Sequence, residues 1–374
     1  MSAIKVAFGV TLLNQGTAGA GIDGIGHYCK DLITQFEQLP QAIDLKPFNF
    51  GPHASSKQLC LPSYSKYLIH SSLGLNSTQK NIFDDVDIVH STDQLIPLVR
   101  NKPLIATVMD TIPLSHPQFL KIQSRHLKPF LWKKLTQRAD HIITISEFSK
   151  QEISRLLNYP DKNITVIPLG VNEEYFTPLA PESIKAALDQ LRISTPFFLF
   201  LGSIQPRKNL QNVLKAHAAL PRNLATQFPL VIAGKLAWDD GHTLTQIQQG
   251  IKENRCIWLS YIGEHEKRCL LQTTLGMVFA SHYEGFGLPI LEAFASGAPV
   301  ITSDCTSMPE VAGNAAILVN PQELDQITNA MHSLIDDCSL KNSLVAKGLA
   351  RAKEFTWGKT ALATLDTYRS TLSQ

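Results

Sequence analysis

Two adjacent cations, Arg207 and Lys208, lie between an apolar segment that ends at Gly202 and a segment with helical periodicity that begins after Asn209. Asn is a favoured N-cap residue, which agrees with a helix that begins directly after Asn209. The start of a helix offers unpaired N–H groups and the positive end of its dipole, which favour an anion. The two cations could therefore hold a diphosphate leaving group; the alternative is a solvated Arg–Lys pair in a loop.

Two glutamates, Glu284 and Glu292, form a second candidate cluster, with seven residues between them. The loop after Glu284 contains Gly285 and Gly287 and leads into a predicted helix with Pro289 in its first turn, where proline is favoured. Glycines allow the backbone to approach a ligand and to direct its amides at phosphate oxygens. The second glutamate lies one to two turns into that helix, so the two carboxylates can contact different parts of one elongated ligand.

A glycine-rich segment over residues 16–26 follows the first predicted strand and opens a helix that runs to about Leu39. Gly21, Gly24 and Gly26 do not have the G-x-G-x-x-G spacing of a dinucleotide-binding fingerprint, and no acidic residue ends a convincing second strand. The spacing therefore argues against an NAD-dependent dehydrogenase.

The elements that must position these residues are short apolar, β-branched segments separated by helix-period segments. Apolar strands that alternate with helices indicate parallel sheets covered on both faces. Eleven strands are about twice what one doubly wound sheet holds, which predicts two α/β domains. The predicted strands are 4–10, 87–90, 104–109, 141–145 and 164–167 in the first half, and 197–201, 230–233, 257–262, 277–280, 299–302 and 317–319 in the second.

A proline-containing stretch after residue 176 indicates where the two domains meet, in a linker near residues 176–195. We predict an N-terminal domain over residues 1–180 and a C-terminal domain over residues 181–355. The last segment, residues 356–374, is helical in pattern, and we expect it to pack back on the N-terminal domain.

The composition excludes several classes of protein. The 374 residues are 44% hydrophobic and 18% charged, which is too apolar for a disordered chain. The formal net charge of +2 gives no reason to expect a nucleic-acid partner. No uncharged stretch reaches the roughly 20 apolar residues that a membrane-spanning helix needs. Six cysteines without a C-x-x-C pair indicate neither a metal site nor a disulfide framework, and we expect a cytoplasmic protein without a secretory signal.

Several of these motifs resemble those of a known family. Glu284-x7-Glu292, with Gly285-Phe-Gly-Leu-Pro289 inside it, is similar to the E-x7-E motif of the retaining nucleotide-sugar glycosyltransferases of family four, which have the GT-B fold. The resemblance covers essentially the whole chain and is best over residues 197–320. Further segments in the family's order and spacing are 202–209, 233–235, 261–263, 302–304 and 308–316, with 145–149 and 166–171 in the first half.

The resemblance implies an α/β protein with two Rossmann-like, doubly wound domains that face each other across a cleft. It implies that Arg207 and Lys208 neutralise the donor diphosphate. Glu284 would contact the hydroxyls of the transferred sugar, and Glu292 would hold the ribose hydroxyls. Because cations and amides then stabilise the charge that develops on the leaving diphosphate, we expect neither a metal ion nor another cofactor. The remaining donor-binding residues would be Gly202 and the amides of Phe286, Gly287 and Leu288.

In the first half, the resemblance implies that the glycine loop at Gly21, Gly24 and Gly26 approaches the donor phosphates and the acceptor. Asp110 matches an acidic position of the family, and we place it among the catalytic residues.

One departure from the family's pattern precedes that acidic residue. Many relatives have a histidine where this chain has Met109, so either another group contacts the donor sugar or the acceptor pocket is unusually apolar. His90 resembles another position in the family's cleft; the alternative is a histidine that is satisfied at the end of a buried strand.

Within the family, the chain looks most like bacterial mannosyltransferases of O-antigen assembly, because of segments 24–28, 110–113 and 234–238. We therefore expect transfer of a sugar, first mannose from GDP-mannose, with retention, to a glycan or lipid-linked acceptor. Another donor, such as UDP-glucose or a deoxysugar nucleotide, is the alternative with the same fold. A non-catalytic partner subunit, suggested by Met109, is the alternative from a different class.

A basic and aromatic helical stretch is the candidate for peripheral membrane contact, at the inner face of the plasma membrane. Phe130-Leu-Trp-Lys-Lys-Leu135 could rest on an anionic membrane surface where lipid-linked acceptors reside. A solvated surface helix is the alternative. The cations near this stretch are Lys121, Arg125, His126 and Lys128.

Overall fold

The computed structural model of the chain describes residues 3–17, 24–51, 59–67, 82–99, 101–119, 127–237 and 241–373, and for residues 127–131 it describes the backbone alone. The chain divides into two compact units. Unit 1 combines Met1–Gly170 with Trp357–Gln374, and unit 2 is Val171–Thr356.

Unit 1 is built on a seven-stranded sheet. Its strands are β1 Ile4–Gly9, β2 Ile43–Phe50, β3 Leu59–Leu61, β4 Ile88–Ser91, β5 Leu104–Thr107, β6 His141–Thr144 and β7 Ile164–Val166. All pair in parallel, in the order β3-β2-β1-β4-β5-β6-β7. Among its described residues, the α-helices of this unit include Thr11–Gln15, Gly24–Glu37, Ile112–Ser115, Leu127–Thr136, Glu147–Leu157 and Trp357–Leu372, with 3-10 helices at Pro117–Phe119 and Asp161–Asn163.

Two of these strands, β2 and β3, were not predicted from the sequence. β2 has the sequence IDLKPFNF, in which charged residues and a proline interrupt the apolar residues, and its first half is only partly buried. It lies next to β3, which ends the sheet. Strands near an edge are not covered on both faces, so they lack the continuous apolar pattern by which the central strands are recognised.

Unit 2 is built on a six-stranded sheet. Its strands are β8 Phe198–Leu201, β9 Leu230–Ala233, β10 Cys256–Ser260, β11 Gly276–Phe279, β12 Val300–Ser303 and β13 Ile317–Val319. They are parallel, in the order β10-β9-β8-β11-β12-β13. The α-helices are Pro181–Gln190, Leu210–Ala218, Arg222–Gln227, His242–Lys252, Glu264–Thr273, Leu288–Ala295, Met308–Ala312, Leu324–Asp336 and Cys338–Ala352, with 3-10 helices at Glu173–Phe176 and Pro206–Lys208.

The strand order of unit 2 decides where a ligand can bind. The chain builds outward from β8 to β9 and β10 on one side, then returns to place β11 against the other side of β8. Ligands of open α/β sheets bind at such a reversal, beyond the carboxyl ends of the strands. A ligand site is therefore expected at the loops after β8 and β11. All eleven predicted strands are present, and the α/β class with two parallel sheets is confirmed.

The last helix, Trp357–Leu372, belongs to unit 1. Tyr368 OH lies 2.6 Å from His90 Nδ1, and Thr360 Oγ1 donates to the Pro168 carbonyl at 2.8 Å. The Trp357 ring lies 6.3 Å from the ring of Tyr28. None of the helices that the structure describes is long and apolar enough to cross a membrane.

The residues directly after Gly170 belong to unit 2. Val171 N donates to the Phe355 carbonyl at 3.1 Å, and Leu179 N donates to Gln272 Oε1 at 2.9 Å. These contacts are why the structure divides after Gly170, whereas the sequence suggested a division after residue 180. The expected linker is instead an ordered part of unit 2 that carries the helix Pro181–Gln190.

Candidate active site

The turn after β8 presents the two cations. Gly202 ends the strand with φ 136°, a conformation that favours glycine, and the 3-10 helix Pro206–Lys208 follows. Asn209 lies directly before the helix Leu210–Ala218, as predicted, but it has φ 59° and its side chain makes no capping hydrogen bond. Its Nδ2 instead donates to the carbonyls of Ala280 and Pro321, at 2.8 and 2.7 Å. These bonds hold the turn against the end of β11.

Glu284 brings the two cations together. Arg207 Nη1 lies 2.7 Å from Glu284 Oε2, and Lys208 Nζ lies 2.7 Å from Glu284 Oε1. The three side chains are only 15%, 12% and 10% exposed. Arg207 also donates to the Tyr283 carbonyl at 2.6 Å, and the Lys208 ammonium lies 4.7 Å from the centre of the Phe279 ring. We call Arg207, Lys208 and Glu284 the charge cluster.

The charge cluster carries net positive charge. Burial alone would raise the pKa of the Glu284 carboxyl, but Lys208 and Arg207 outweigh it and lower the pKa to about 2. Burial lowers the pKa of the Lys208 ammonium, and the Glu284 carboxylate opposes this. One carboxylate against two cations leaves a charge of +1, in a buried setting where electrostatic interactions are strong. The cluster is thus suited to bind an anion.

The loop after Glu284 is held by residues that the sequence did not reveal. Ser307 Oγ lies 2.9 Å from the carbonyl oxygens of both Glu284 and Phe286, and Glu284 N donates to Thr306 Oγ1 at 3.3 Å. Gly287 has φ 105° and precedes the helix Leu288–Ala295. The predicted amides of Phe286, Gly287 and Leu288 therefore lie at the start of a helix. Thr306 and Ser307 lie between the segments 302–304 and 308–316 that the sequence singled out, and their role as support for this loop requires the fold.

Glu292 forms a second, separate cluster. Lys267 Nζ donates to Glu292 Oε1 at 2.8 Å, and Tyr175 OH lies 3.2 Å from the same oxygen. Lys267 also lies 3.3 Å from Glu264, to which Tyr175 OH donates a short hydrogen bond. Tyr175 and Lys267 were missed from the sequence. The i, i+3 pair of Glu264 and Lys267 was the only local signal, and it is also typical of a solvated helix.

The candidate residues of the first half lie in unit 1. Asp110 Oδ1 accepts from Ile112 N at 3.0 Å, at the start of the helix Ile112–Ser115. Gly24 and Gly26 are in the first turn of the helix Gly24–Glu37, the first exposed and the second buried. Gly21 lies outside the described residues.

His90 is a satisfied core histidine. It is fully buried, with Nδ1 2.6 Å from Tyr368 OH and Nε2 2.8 Å from Thr107 Oγ1. Burial lowers its pKa to about 3, so the ring is neutral. Both ring nitrogens have partners, and the structural alternative raised in the sequence analysis is the one that holds.

The basic and aromatic stretch offers little to a membrane among its described side chains. Trp132 and Leu135 are buried, and Trp132 belongs to the core of unit 1. Lys133 Nζ donates to the Leu156 carbonyl at 2.8 Å. The other residues of interest, Lys121, Arg125, His126 and the side chains of Lys128 and Phe130, lie outside the described residues.

Across the described ranges, no group of three or more His, Cys, Asp or Glu side chains is arranged to hold a metal ion. The six cysteines are free thiols.

Comparison with family models gives two matches that together cover most of the chain. Residues 24–175 match the model "Glycosyltransferase Family 4", and residues 186–351 match "Glycosyl transferases group 1".

The relatives by sequence include bacterial mannosyltransferases. O-antigen chain mannosyltransferase B of Escherichia coli is 33% identical over 260 residues, which are 69% of this chain and 67% of that protein. The serotype-specific mannosyltransferase WbdA of Escherichia coli is 29% identical over 262 residues, 69% of this chain. The aligned part is 32% of WbdA, so the chain matches only about a third of that longer protein.

Solved structures share the fold over the full length. Sucrose-phosphate synthase from Thermosynechococcus elongatus has a TM-score of 0.76 at 20% identity, with 99% of each chain covered. HepE from Anabaena, solved in complex with UDP-glucose, has a TM-score of 0.72 at 16% identity, with 98% of this chain and 100% of that chain covered.

Proposed function

Because this chain belongs to the glycosyltransferases of family 4, which have the GT-B fold, we propose that it transfers mannose from GDP-mannose to a glycan or lipid-linked acceptor in the assembly of O-antigen or a related polysaccharide. The chain is a glycosyltransferase by family. The mannosyl donor is proposed from the names of its relatives, among them O-antigen chain mannosyltransferase B. The observation that carries the proposal is the charge cluster at the strand reversal of unit 2.

We propose that the donor diphosphate binds at Arg207 and Lys208. Without a ligand, both cations are paired with Glu284. A diphosphate would compete for them, and the Glu284 carboxylate would then be free to accept hydrogen bonds from hydroxyls of the transferred sugar. The amides at the start of the helix Leu288–Ala295 would add a partial positive charge on the same side.

The same arrangement explains how the reaction would be accelerated. As the bond from the anomeric carbon to the diphosphate breaks, negative charge accumulates on the leaving group and positive charge on the sugar. Cations that are already in position stabilise this state more than the bound donor, which is the condition for a higher rate. We propose that Arg207, Lys208 and the helix amides supply this stabilisation without a metal ion, and that the configuration at the anomeric carbon is retained.

We propose that Glu292 binds the ribose hydroxyls of the donor, and that Asp110, Gly24 and Gly26 act on the side of the acceptor. We place the reaction in the cytoplasm, since the six free thiols suit a reducing compartment. Contact of residues 121–135 with a membrane gains no support from Trp132 and Leu135, which are buried.

Two alternatives differ in testable ways. A different donor is suggested by the structural neighbour solved with UDP-glucose. A non-catalytic partner subunit is suggested by Met109, and the intact charge cluster argues against it.

The experiment is a thermal-shift screen with GDP, UDP, ADP and NAD, followed by GDP-mannose, UDP-glucose and a deoxysugar nucleotide. A ligand that binds only the folded protein raises the melting temperature by mass action. We expect the largest shift with GDP and GDP-mannose, and no such shift in the Lys208→Ala variant. Stabilisation by UDP compounds alone would replace the donor, and stabilisation by NAD alone would overturn the proposal.

A further inference from the structure

The two carboxylate oxygens of Glu292 have different surroundings. Oε1 is contacted by both Lys267 Nζ, at 2.8 Å, and Tyr175 OH, at 3.2 Å. Among the described residues, none donates a hydrogen bond to Oε2. The side chain of Glu292 is only 12% exposed. Its Oε1 accepts a full hydrogen bond from Lys267 and a longer, shared one from Tyr175, whose single proton is also directed at Glu264.

Tyr175 reaches this carboxylate from far away in the sequence. It lies in the 3-10 helix Glu173–Phe176, among the first residues of unit 2, and 117 residues separate it from Glu292. The residue is 3% exposed, and the Lys267 ammonium lies 5.1 Å from the centre of its ring. Burying a hydroxyl requires a hydrogen-bond partner. The single proton of Tyr175 is shared between Glu264, which receives the shorter bond, and Glu292.

Both donors keep their protons. Burial raises the pKa of the Tyr175 hydroxyl well above its usual value, and the neighbouring Glu292 and Glu264 raise it further. Burial alone would lower the pKa of Lys267, but Glu292 and Glu264 outweigh it, so the pKa of the ammonium is raised. Tyr175 therefore acts as a donor and Lys267 as a cation at neutral pH.

We propose that Tyr175 and Lys267 are positioning residues for the nucleoside of the donor. They hold Oε1 of Glu292, and Oε2 accepts a hydrogen bond from a ribose hydroxyl. This inference rests on the proposed role of Glu292 at the ribose, and it extends the donor site to the first residues of unit 2. Neither positioning residue touches the reacting atoms.

The test compares the binding of two nucleotides to the wild type and to two variants. GDP carries both ribose hydroxyls, and 2′,3′-dideoxy-GDP carries neither. Their dissociation constants are measured by calorimetry for the wild type, for Tyr175→Phe and for the control Tyr159→Phe. Tyr159 is also buried, and its hydroxyl donates to the Ala139 carbonyl at 2.7 Å in unit 1. The control therefore removes a comparable hydrogen bond away from the donor site.

We expect Tyr175→Phe to weaken GDP binding about three- to tenfold, no more than the loss of one direct hydrogen bond to a charged group, because Tyr175 acts on the ribose only through Glu292. Binding of the dideoxy nucleotide should stay within about twofold of the wild type, because that probe does not use Glu292. The Tyr159→Phe control should bind both probes as the wild type does. With a saturating acceptor, the KM for the donor should rise in Tyr175→Phe while kcat is nearly unchanged, because the ribose contact is the same in the ground state and the transition state.

Two outcomes overturn the inference. If Tyr175→Phe weakens both probes equally, Tyr175 is a general structural residue; if it weakens neither, the hydroxyl is not needed. If the wild type itself binds GDP and the dideoxy nucleotide equally, the proposed role of Glu292 at the ribose is wrong. The wild-type measurement alone therefore tells this failure of the proposed function apart from a failure of the inference about Tyr175. Should Tyr175→Phe fail to fold by circular dichroism, Lys267→Gln takes its place, with the same expected loss for GDP alone.

Discussion

The substitution Glu284→Gln tests the charge cluster most directly. It keeps the shape of the side chain and removes its charge, so the charge of the cluster changes from +1 to +2. Arg207 and Lys208 would then lie side by side with little solvent to separate them, since their side chains are only 15% and 12% exposed. We expect three effects of different sign: lower stability, unreduced affinity for the diphosphate and lower turnover.

The size of the stability effect follows from the ionisation of Glu284. Its pKa of about 2, against an ordinary value of 4.5, reports how strongly the two cations favour the charged form. One pKa unit is worth about 1.4 kcal/mol, so the difference corresponds to roughly 3 kcal/mol. Removing one partner of a buried ion pair costs about 3–5 kcal/mol, which agrees. We therefore expect the free energy of unfolding to fall by about 3 kcal/mol.

The other two effects separate binding from catalysis. GDP should bind to Glu284→Gln at least as tightly as to the wild type, because the two cations no longer have to break an ion pair with a carboxylate before they bind the diphosphate. Turnover should fall roughly 10- to 100-fold, the range for losing a hydrogen bond to a charged group, because a neutral amide accepts less strongly from the sugar hydroxyls than a carboxylate does.

Urea unfolding followed by circular dichroism measures the first effect, and calorimetry with GDP and steady-state kinetics measure the others. Glu253→Gln serves as the control, since it removes a partly exposed partner of Arg255 and should change stability far less. A Glu284→Gln variant as stable as the wild type, or one that loses GDP affinity in proportion to its turnover, would refute the assignment of Glu284 as the internal counter-ion of a diphosphate site.

Three further predictions follow from the same structure. Lys208→Ala should lower turnover on the order of 100- to 1,000-fold. Arg207→Lys should retain only part of the wild-type rate, because a point charge cannot replace a bidentate fork. If steady-state kinetics found more than about half of the wild-type activity in folded Lys208→Ala and Arg207→Ala, the phosphate site would lie elsewhere. Turnover should survive EDTA, and loss of activity that Mg²⁺ or Mn²⁺ restores would contradict the proposed charge neutralisation. Burial lowers the pKa of His90 to about 3 and that of His217 to about 4, against 6.5 ordinarily. Both histidines take up a proton more readily in the unfolded chain. The free energy of unfolding should therefore fall as the pH decreases from 6.5 to about 4, by at most about 1.4 kcal/mol per pH unit for each histidine. If urea unfolding gave His90→Phe the same pH slope as the wild type, the contribution of His90 would be contradicted.

The sequence alone was sufficient for the class of fold. A central strand of a parallel sheet is buried on both faces, so its residues form an apolar run that is visible without any partner. β9 and β13 have the bounds that were predicted, and the other nine predicted strands differ by a few residues at their ends. The signal fails for β2 and β3 because one lies next to the edge of the sheet and the other forms it.

The sequence also pointed to the loops that carry the candidate site. The signals at these loops are local in the sequence: Gly287 has the positive φ that favours glycine, and Pro289 lies in the first turn of the helix that follows. The same reasoning placed the start of a helix after Asn209 correctly, but the Asn209 side chain bonds to the carbonyls of Ala280 and Pro321 and not to its own helix. Propensity describes what a side chain can do nearby, and a stronger distant partner overrides it.

The pairing of charges was decided only by the tertiary structure. Lys208 and Glu284 are 76 residues apart, and they meet because β8 and β11 are neighbours in a sheet whose order reverses between them. Tyr175 and Glu292 are 117 residues apart and meet because the first residues of unit 2 pack against the helix that carries the glutamate. The periodicity of a segment does not encode strand order. Strand order depends on the simultaneous packing of many surfaces that are distant in the sequence. The sequence therefore pointed to Arg207, Lys208 and the two glutamates, and the tertiary structure decided how they pair and which further residues contact them.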